Sequence, residues 1–441
     1  MITLLNNKRT RKKILVIITF LVFVRIGSLI PVPGVNTDFM KNLVSGSEFQ
    51  FINTIMGNSL SHMSLFALSI SPYITASIII QLMTLVLPRI EDLSREGKSG
   101  QEKLQKIINY TGITIGFIQS LCMAVGFGMK GLFITYSLQS VLLATCVWTM
   151  GSAILIILSE KITKLDMGNG VSYVLMLNIL SALSTDVIVV FERLCINNTM
   201  FQIVVCISIV VFAFALLVAV SVFLNVSEKR IAIKFSRKRA NEEIVDYLPI
   251  PMNICNVMPV IFTGSILGLL SLLSVLTNNN ILRTISTYLT QTNWFQLHNL
   301  QYTIGVFVYI ALVFYFAHFY LDVTFNSDEI AYRLKQQGAT IPGIRPGITT
   351  AEYLKENANK IMIFGNIIVL AIVLGTVFVC NILNIGILSV GGTSMLIVTN
   401  VVIDNYKKIK VTAQSIKSSS YVRTNKKQSS LFRVKGVRHA K

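Results

Sequence analysis

"SISPYITASIIIQLM", residues 69–83, is the stretch on which the fold turns. It is apolar enough to enter a bilayer, yet Ser69, Ser71, Thr75 and Ser77 interrupt the greasy surface and Pro72 stands near its start. Just before it, "FINTIMGNSLSHMSLFAL" (51–68) is too polar for a lipid-facing span and too apolar for an ordinary loop. Any account of the fold has to explain why a half-polar helical stretch abuts a proline-headed span.

The rest of the chain sets the medium. It has 441 residues, 53% hydrophobic and 13% charged, where a soluble chain carries about 25% charge. That deficit, with repeated apolar runs, reads as a polytopic membrane protein. The first run, 14–30, has no small-residue cleavage site and leads into "PVPG", so it reads as a first span rather than a cleaved signal. The net charge is +19, which in a membrane protein reflects Lys and Arg gathered in cytoplasmic loops. Cys122, Cys146, Cys195, Cys206, Cys255 and Cys380 are scattered, without a Cys-x-x-Cys or metal spacing, as are His62, His298, His318 and His439. No metal, cofactor or catalytic role is expected of them.

Spans of about 20 apolar residues fall near 14–30, 70–88, 106–127, 136–159, 171–191, 202–224, 256–275, 302–321, 359–379 and 384–403. Basic clusters sit in the N-terminus (Lys8, Arg9, Arg11, Lys12, Lys13), between the sixth and seventh spans (Lys229, Arg230, Lys234, Arg237, Lys238, Arg239) and in the tail. The alternate loops 128–135, 276–301 and 380–385 are nearly uncharged, so both termini are expected in the cytoplasm. Ten spans then divide into two five-span halves of opposite orientation, an arrangement that in transport proteins often flanks a central pathway. The expected divisions are a basic N-terminus (1–13), a first half (14–195), a second half (196–405) with cytoplasmic loops 225–250 and 323–358, and a basic tail (406–441).

Polar residues within the spans narrow the function. Arg25, near the outer end of the first span, should snorkel to the interface or line a wet cavity. Thr75, Ser77 and Thr84 in the second span, and Thr263 and Ser265 in the seventh, suit a helix seam that can open. The span interiors hold almost no carboxylates, against an ion-coupled transporter. With no Gly-x-x-x-x-Gly-Lys-Ser/Thr loop either, energy for transport would come from outside the chain.

Seven stretches, in order, carry a resemblance: "RIGSLIPVPGV" (25–35), "SLFALSISPYITASIIIQLM" (64–83), "REGKSGQEK" (95–103), "GNGVS" (168–172), "LPIPMNICNVMPVIF" (248–262), "GATIPGIRPGITTAEYL" (338–354) and "GGTSMLI" (391–397). From about residue 14 to 410 the chain resembles the SecY family, the channel subunits of the bacterial Sec translocase. The resemblance implies an all-α fold of ten helices in two clamped five-helix halves around an hourglass pore in the plasma membrane, with no enzymatic activity of its own. Residues 51–62, with Phe51, Ile52, Asn53 and Gly57, would be a plug folded back into the outer funnel. That accounts for the mixed polarity, since irregular elements are tolerated where they line a cavity, and Pro72 would begin the following span where its missing N–H is harmless.

The resemblance further implies a pore ring of Ile74, Ile78, Leu175, Ile179, Ile261 and Ile397. Ile74 and Ile78, like Leu175 and Ile179, lie four apart on one helix face. A lateral gate would include Thr75, Ser77, Gln119, Thr263 and Ser265. Arg345, Lys234 and Arg237 would dock a SecA motor ATPase or the ribosome. SecE-like and SecG-like small subunits, signal peptides, nascent chains and membrane lipid complete the implied partners. The chain departs from the family pattern at Asn58, Ser69 and Asn256, where glycine is usual, in the loop Lys98–Lys103, and at Pro251, where lysine is frequent. These departures raise a second expectation, the channel of an accessory translocase for a narrow substrate set.

Overall fold

Within a bilayer an apolar run satisfies its backbone amides only by becoming a helix or joining a closed barrel. The computed structural model describes residues 8–45, 50–165, 168–197, 200–235, 245–277, 280–290, 294, 300–382 and 392–410. In chain order these hold α1 (Lys8–Leu29), α2 (Thr37–Ser45), α3 (Gln50–Ile55), α4 (Ser71–Val86), α5 (Pro88–Arg95), α6 (Lys98–Gly128), α7 (Leu138–Thr163), α8 (Gly170–Asn197) and α9 (Met200–Val226). There follow β1 (Glu228–Phe235), β2 (Val245–Pro251), α10 (Met258–Thr277), α11 (Asn280–Leu289), α12 (Thr303–Thr324), α13 (Ser327–Gln336), β3 (Ala339–Thr340) and α14 (Ile348–Ile382). A last helix, α15, covers 392–410. The start of the tenth expected span, 384–391, and the tail from 411 lie outside the described residues.

Four described stretches are long and apolar enough to cross a membrane: Ser99–Gly128, Leu138–Thr163, Thr303–Gln336 and Ile348–Val379. Ser71–Thr84 and Pro88–Ser94, bent by 106°, make a fifth if taken together. The bend has a local cause: Leu87, the residue before Pro88, is extended (φ −106°, ψ 110°), so α4 ends there and Pro88 starts the next helix. The chain is thus an all-α polytopic membrane protein, with one small sheet added.

That sheet unites the two long polar loops. The strand order is β2-β1-β3, antiparallel throughout, with Ile231 opposite Leu248 and Lys234 opposite Thr340. Alternation in β1 turns Ile231 and Ile233 inward, onto a cluster with Ile250, Leu334, Ala339, Ile341 and Leu354. Segments more than a hundred residues apart in sequence therefore form one small sheet over a shared apolar cluster.

The main core is a single cluster contributed by α1, α4, α7, α8, α9, α10, α12, α14 and α15, with Phe20, Ile74, Leu155, Leu175, Leu224, Ile261, Val306, Val373 and Ile397 among its members. A second cluster holds Val32, Met40, Met56, Leu60, Met63, Leu68, Phe127 and Trp148. It is where residues 56–70, a series of turns, fold back: Val32 N–H donates to the Met63 carbonyl (3.0 Å) and Leu65 N–H to the Ile30 carbonyl (3.0 Å).

The α7 backbone approaches this segment closely. A Cβ on Gly151 would stand 2.2 Å from the Leu65 carbonyl oxygen. Gly151→Ala is expected to cost about 2 kcal/mol through overpacking. Thermal unfolding of the detergent-solubilised protein would show it as a midpoint lower by several degrees; an unchanged midpoint would mean the two backbones do not meet as described.

Candidate functional site

The site is built where α4, α8, α10 and α15 converge. Ile74 (8% exposed), Ile78 (5%), Leu175 (8%), Ile179 (0%), Ile261 (7%) and Ile397 (2%) all fall in the main core cluster. The i, i+4 spacing places each pair from α4 and α8 on one face. Ile55, from the end of α3, joins the same cluster, and α3 packs against α8 and α10. The folded-back segment thus reaches α8 and α10.

Its position is set by polar contacts. Gly57 (φ +69°) packs on Asn178 of α8, where a Cβ would lie 2.8 Å from the Asn178 Cα. Both the left-handed backbone and the close approach call for glycine. The buried Asn178 side chain donates through Nδ2 to the Ile55 carbonyl (3.1 Å) and to Ser69 Oγ (2.8 Å). Asn58 Nδ2 donates to Thr185 Oγ1 (2.5 Å), and Asn53 Nδ2 donates to Asn58 Oδ1 (2.8 Å). Half-buried Arg25 takes neither a lipid-facing nor a free position: its Nη1 donates to the Gly57 carbonyl and to Ser28 Oγ, both at 3.4 Å. Phe51 and Ile52 lie in α3, but their side chains are outside the described residues.

The three positions where glycine was expected share one property. Asn58 (φ +64°), Ser69 (φ +47°) and Asn256 (φ +55°) are all left-handed. Glycine adopts this conformation freely and asparagine tolerates it, whereas serine is disfavoured. Asn256 Nδ2 donates to Asp404 Oδ2 (3.1 Å) on α15. Near it Asn225 of α9 is hydrogen-bonded to Asn400 of α15, Asn253 donates to Asn225 Oδ1 (3.0 Å), and Lys407 donates to the Asn225 carbonyl (3.0 Å). These contacts fasten the end of α15 to α9 and to the entry of α10.

A narrow cleft opens beside α4, lined by residues of the folded-back segment (Ile55, Met56, Leu60) and by Ile74, Thr75, Gln119 and Ser265. Three of the five hydroxyl or amide residues of the expected gate therefore share one cleft, while Ser77 and Thr263 do not line it. Thr75 and Thr263 hydroxyls donate to Ser71 (3.2 Å) and Pro259 (2.8 Å) carbonyls of their own helices, so neither is left unsatisfied.

Arg345 is on the other, polar part of the molecule and exposed. Its loop is braced: Ile341 is buried under the sheet, Ile344 N–H donates to the Ile341 carbonyl (3.1 Å), and Thr350 Oγ1 donates to the Arg345 carbonyl (2.8 Å). Gly343 (φ +81°) and Gly347 (φ +121°) supply the turns. Lys234, exposed on β1, is joined to this loop through β3; Arg237 lies outside the described residues. Among the described residues no group of three or more His, Cys, Asp or Glu side chains could hold a metal ion.

Sequence reasoning overlooked Asn178. A single amide inside "YVLMLNILSAL" (173–183) was the available signal, because a buried amide in an apolar helix needs a partner.

Comparison with known proteins settles the relationship. The SecY family model matches residues 64–406. The protein translocase subunit SecY of Staphylococcus carnosus is 32% identical over 420 residues, covering 92% of this chain and 94% of that protein. That of Rickettsia typhi is 31% identical over 414 residues, covering 90% and 92%. Among solved structures, a protein conducting channel superimposes with a TM-score of 0.66 at 18% identity, over 90% of this chain and 91% of that one. Sec61 in the canine ribosome–channel complex from the endoplasmic reticulum gives 0.62 at 17% identity, over 89% and 90%. The chain belongs to the SecY family of protein translocase subunits.

Proposed function

We propose that an unfolded polypeptide passes through the convergence of α4, α8, α10 and α15, with Ile74, Ile78, Leu175, Ile179, Ile261 and Ile397 as the constriction. The chain is a protein-conducting channel of the bacterial plasma membrane. The observation that carries the path is that six aliphatic side chains from four helices, separated by up to 323 residues, meet in one buried cluster beside a folded-back segment. Branched alkyl groups give a passing chain nothing to bind, and a greasy waist without water blocks ions by dewetting.

The finer architecture follows the same reading. Ten spans form two inverted five-helix halves, 14–195 and 196–405, with both termini cytoplasmic. Residues 51–62 act as the plug. In support, the plug domain of a SecY protein of this fold (TM-score 0.62) stabilises the closed state of its channel and maintains a membrane seal. The cleft between α4, α6 and α10 serves as the lateral exit, where an apolar signal sequence moves into lipid and gains about 0.8 kcal/mol per buried methylene. The sheet-braced projection carrying Arg345 and Lys234 docks the SecA-type motor or the ribosome, the latter in keeping with the ribosome-bound Sec61 of the same fold. SecE-like and SecG-like subunits cover the lipid-exposed helices. A general channel and an accessory one for a narrow substrate set are separated by depleting the chain and measuring whether all secretion or the export of one substrate stops.

The exit is tested by a bismaleimide bridge between Thr75→Cys on α4 and Ser265→Cys on α10, which both line the cleft. Bridging should stop membrane insertion of signal-anchored substrates, and a cleavable bridge should restore it on reduction. Insertion at the unbridged rate would place the exit elsewhere.

A further inference from the structure

Helix α8 carries Asn178 and Thr185 seven residues apart, two turns along one face. Both meet the folded-back segment, and both do so at positions where side chains stand in a left-handed backbone. Asn178 Nδ2 bonds Ser69 Oγ (2.8 Å) as well as the Ile55 carbonyl (3.1 Å), and Thr185 Oγ1 accepts from Asn58 Nδ2 (2.5 Å). Ser69 is 3% exposed and Asn178 4%, so the two Asn178 bonds lie where water competes little and an unmet amide is costly, whereas the Asn58–Thr185 bond is exposed. A glycine at 58 or 69 would adopt the same backbone with less strain but could make neither side-chain bond. Asn53, bonded to Asn58 Oδ1 and to the Ser61 N–H (3.0 Å), holds the Asn58 amide in place. The bonds thus grip the segment at its start (Ile55), its turn (Asn58) and its end (Ser69).

We infer that Asn178, Ser69, Asn58 and Thr185 form a latch that holds the plug in the closed channel, with Asn178 its central positioning residue. The inference rests on residues 51–62 being the plug. The bonds to the plug exist only in the closed arrangement: when residues 51–62 leave, the Ile55 carbonyl and the Asn58 amide leave with them, while Ser69, outside the plug, orients the Asn178 amide toward Ile55. The strength of the latch therefore enters the resting ratio of closed to open channel, and hence the signal strength needed to open it.

The test measures chloride efflux from proteoliposomes holding the full-length channel with its copurifying subunits and no substrate. Variants are Asn178→Ala, Ser69→Ala, a deletion of 51–62, and Asn178→Ala within the deletion. Loss of the buried bond to the Ile55 carbonyl in Asn178→Ala is expected to raise efflux about fivefold, and Ser69→Ala, which frees the Asn178 amide to turn away from Ile55, should raise it by a smaller factor. Asn178→Ala should add nothing once the plug is deleted, which a general destabilisation of α8 would not reproduce. If the deletion leaks but Asn178→Ala and Ser69→Ala seal as well as the unaltered protein, the latch is overturned and the plug stands. An equal increment from Asn178→Ala in the presence and absence of the plug also overturns the latch. If the deletion itself does not leak, the plug reading fails and takes the latch with it.

Discussion

Reversing the charge at one exposed position, Arg345→Glu, is expected to reduce export by about a hundredfold while the channel still inserts into the membrane, because a like-charge contact at an interface costs several kcal/mol. The magnitude follows from how the residue is held. Ile341 is anchored beneath the sheet, Thr350 fixes the Arg345 carbonyl, and glycines at 343 and 347 turn the chain on either side. The backbone of such a braced tip loses little freedom when it is bound, so its side chain can act as an interfacial anchor. Arg345→Lys should recover only part of the activity, since an ammonium keeps the charge but not the forked donor set of a guanidinium. Pulse-labelled secretion of a preprotein, with the amount of membrane-inserted channel as the control, reads the effect. Export within twofold of the unaltered rate would remove Arg345 from the docking surface.

The second large effect is expected at the proposed constriction. Ile261→Asn or Ile397→Asn should raise resting ion leak by about thirtyfold and admit precursors with defective signal sequences. Burying an isoleucine side chain is worth about 2 kcal/mol, and both residues are at most 7% exposed. An amide in their place forfeits that contribution and is itself costly to bury dry, so it favours a hydrated and more open waist. Conductance in planar bilayers, alongside export of a signal-defective precursor, tests both consequences. Val in place of Ile should leave both nearly unchanged, as a branched alkyl group is retained. Normal leak and normal rejection of defective signals in the Asn variants would remove these residues from the constriction.

What was legible of the candidate site in the sequence is the spacing along single helices. Ile74 with Ile78, and Leu175 with Ile179, could be paired from period alone; that all four belong to one buried cluster with Ile261 and Ile397 could not. The basic Arg345 loop was legible from its prolines and glycines. Its attachment to Lys234 was not, because β1 and β3 each look like part of a polar loop until they are paired. The gate residues divide similarly: Thr75, Gln119 and Ser265 share a cleft, while nothing in their local sequence separates them from Ser77 and Thr263. Asn58, Ser69 and Asn256 were visible only as unexpected side chains. The left-handed backbone that explains a glycine preference, and the bonds these side chains make instead, exist only in three dimensions.

By itself the sequence determined the medium, the helical segments and the basic faces, because hydropathy, charge and proline act locally along the chain. Tertiary structure alone decided which apolar faces meet, that residues 56–70 turn back onto α8, and that two distant loops become one sheet. The physical reason is that isoleucine has the same transfer free energy against lipid, a core or a constriction. Only the packing of distant helices distinguishes the three.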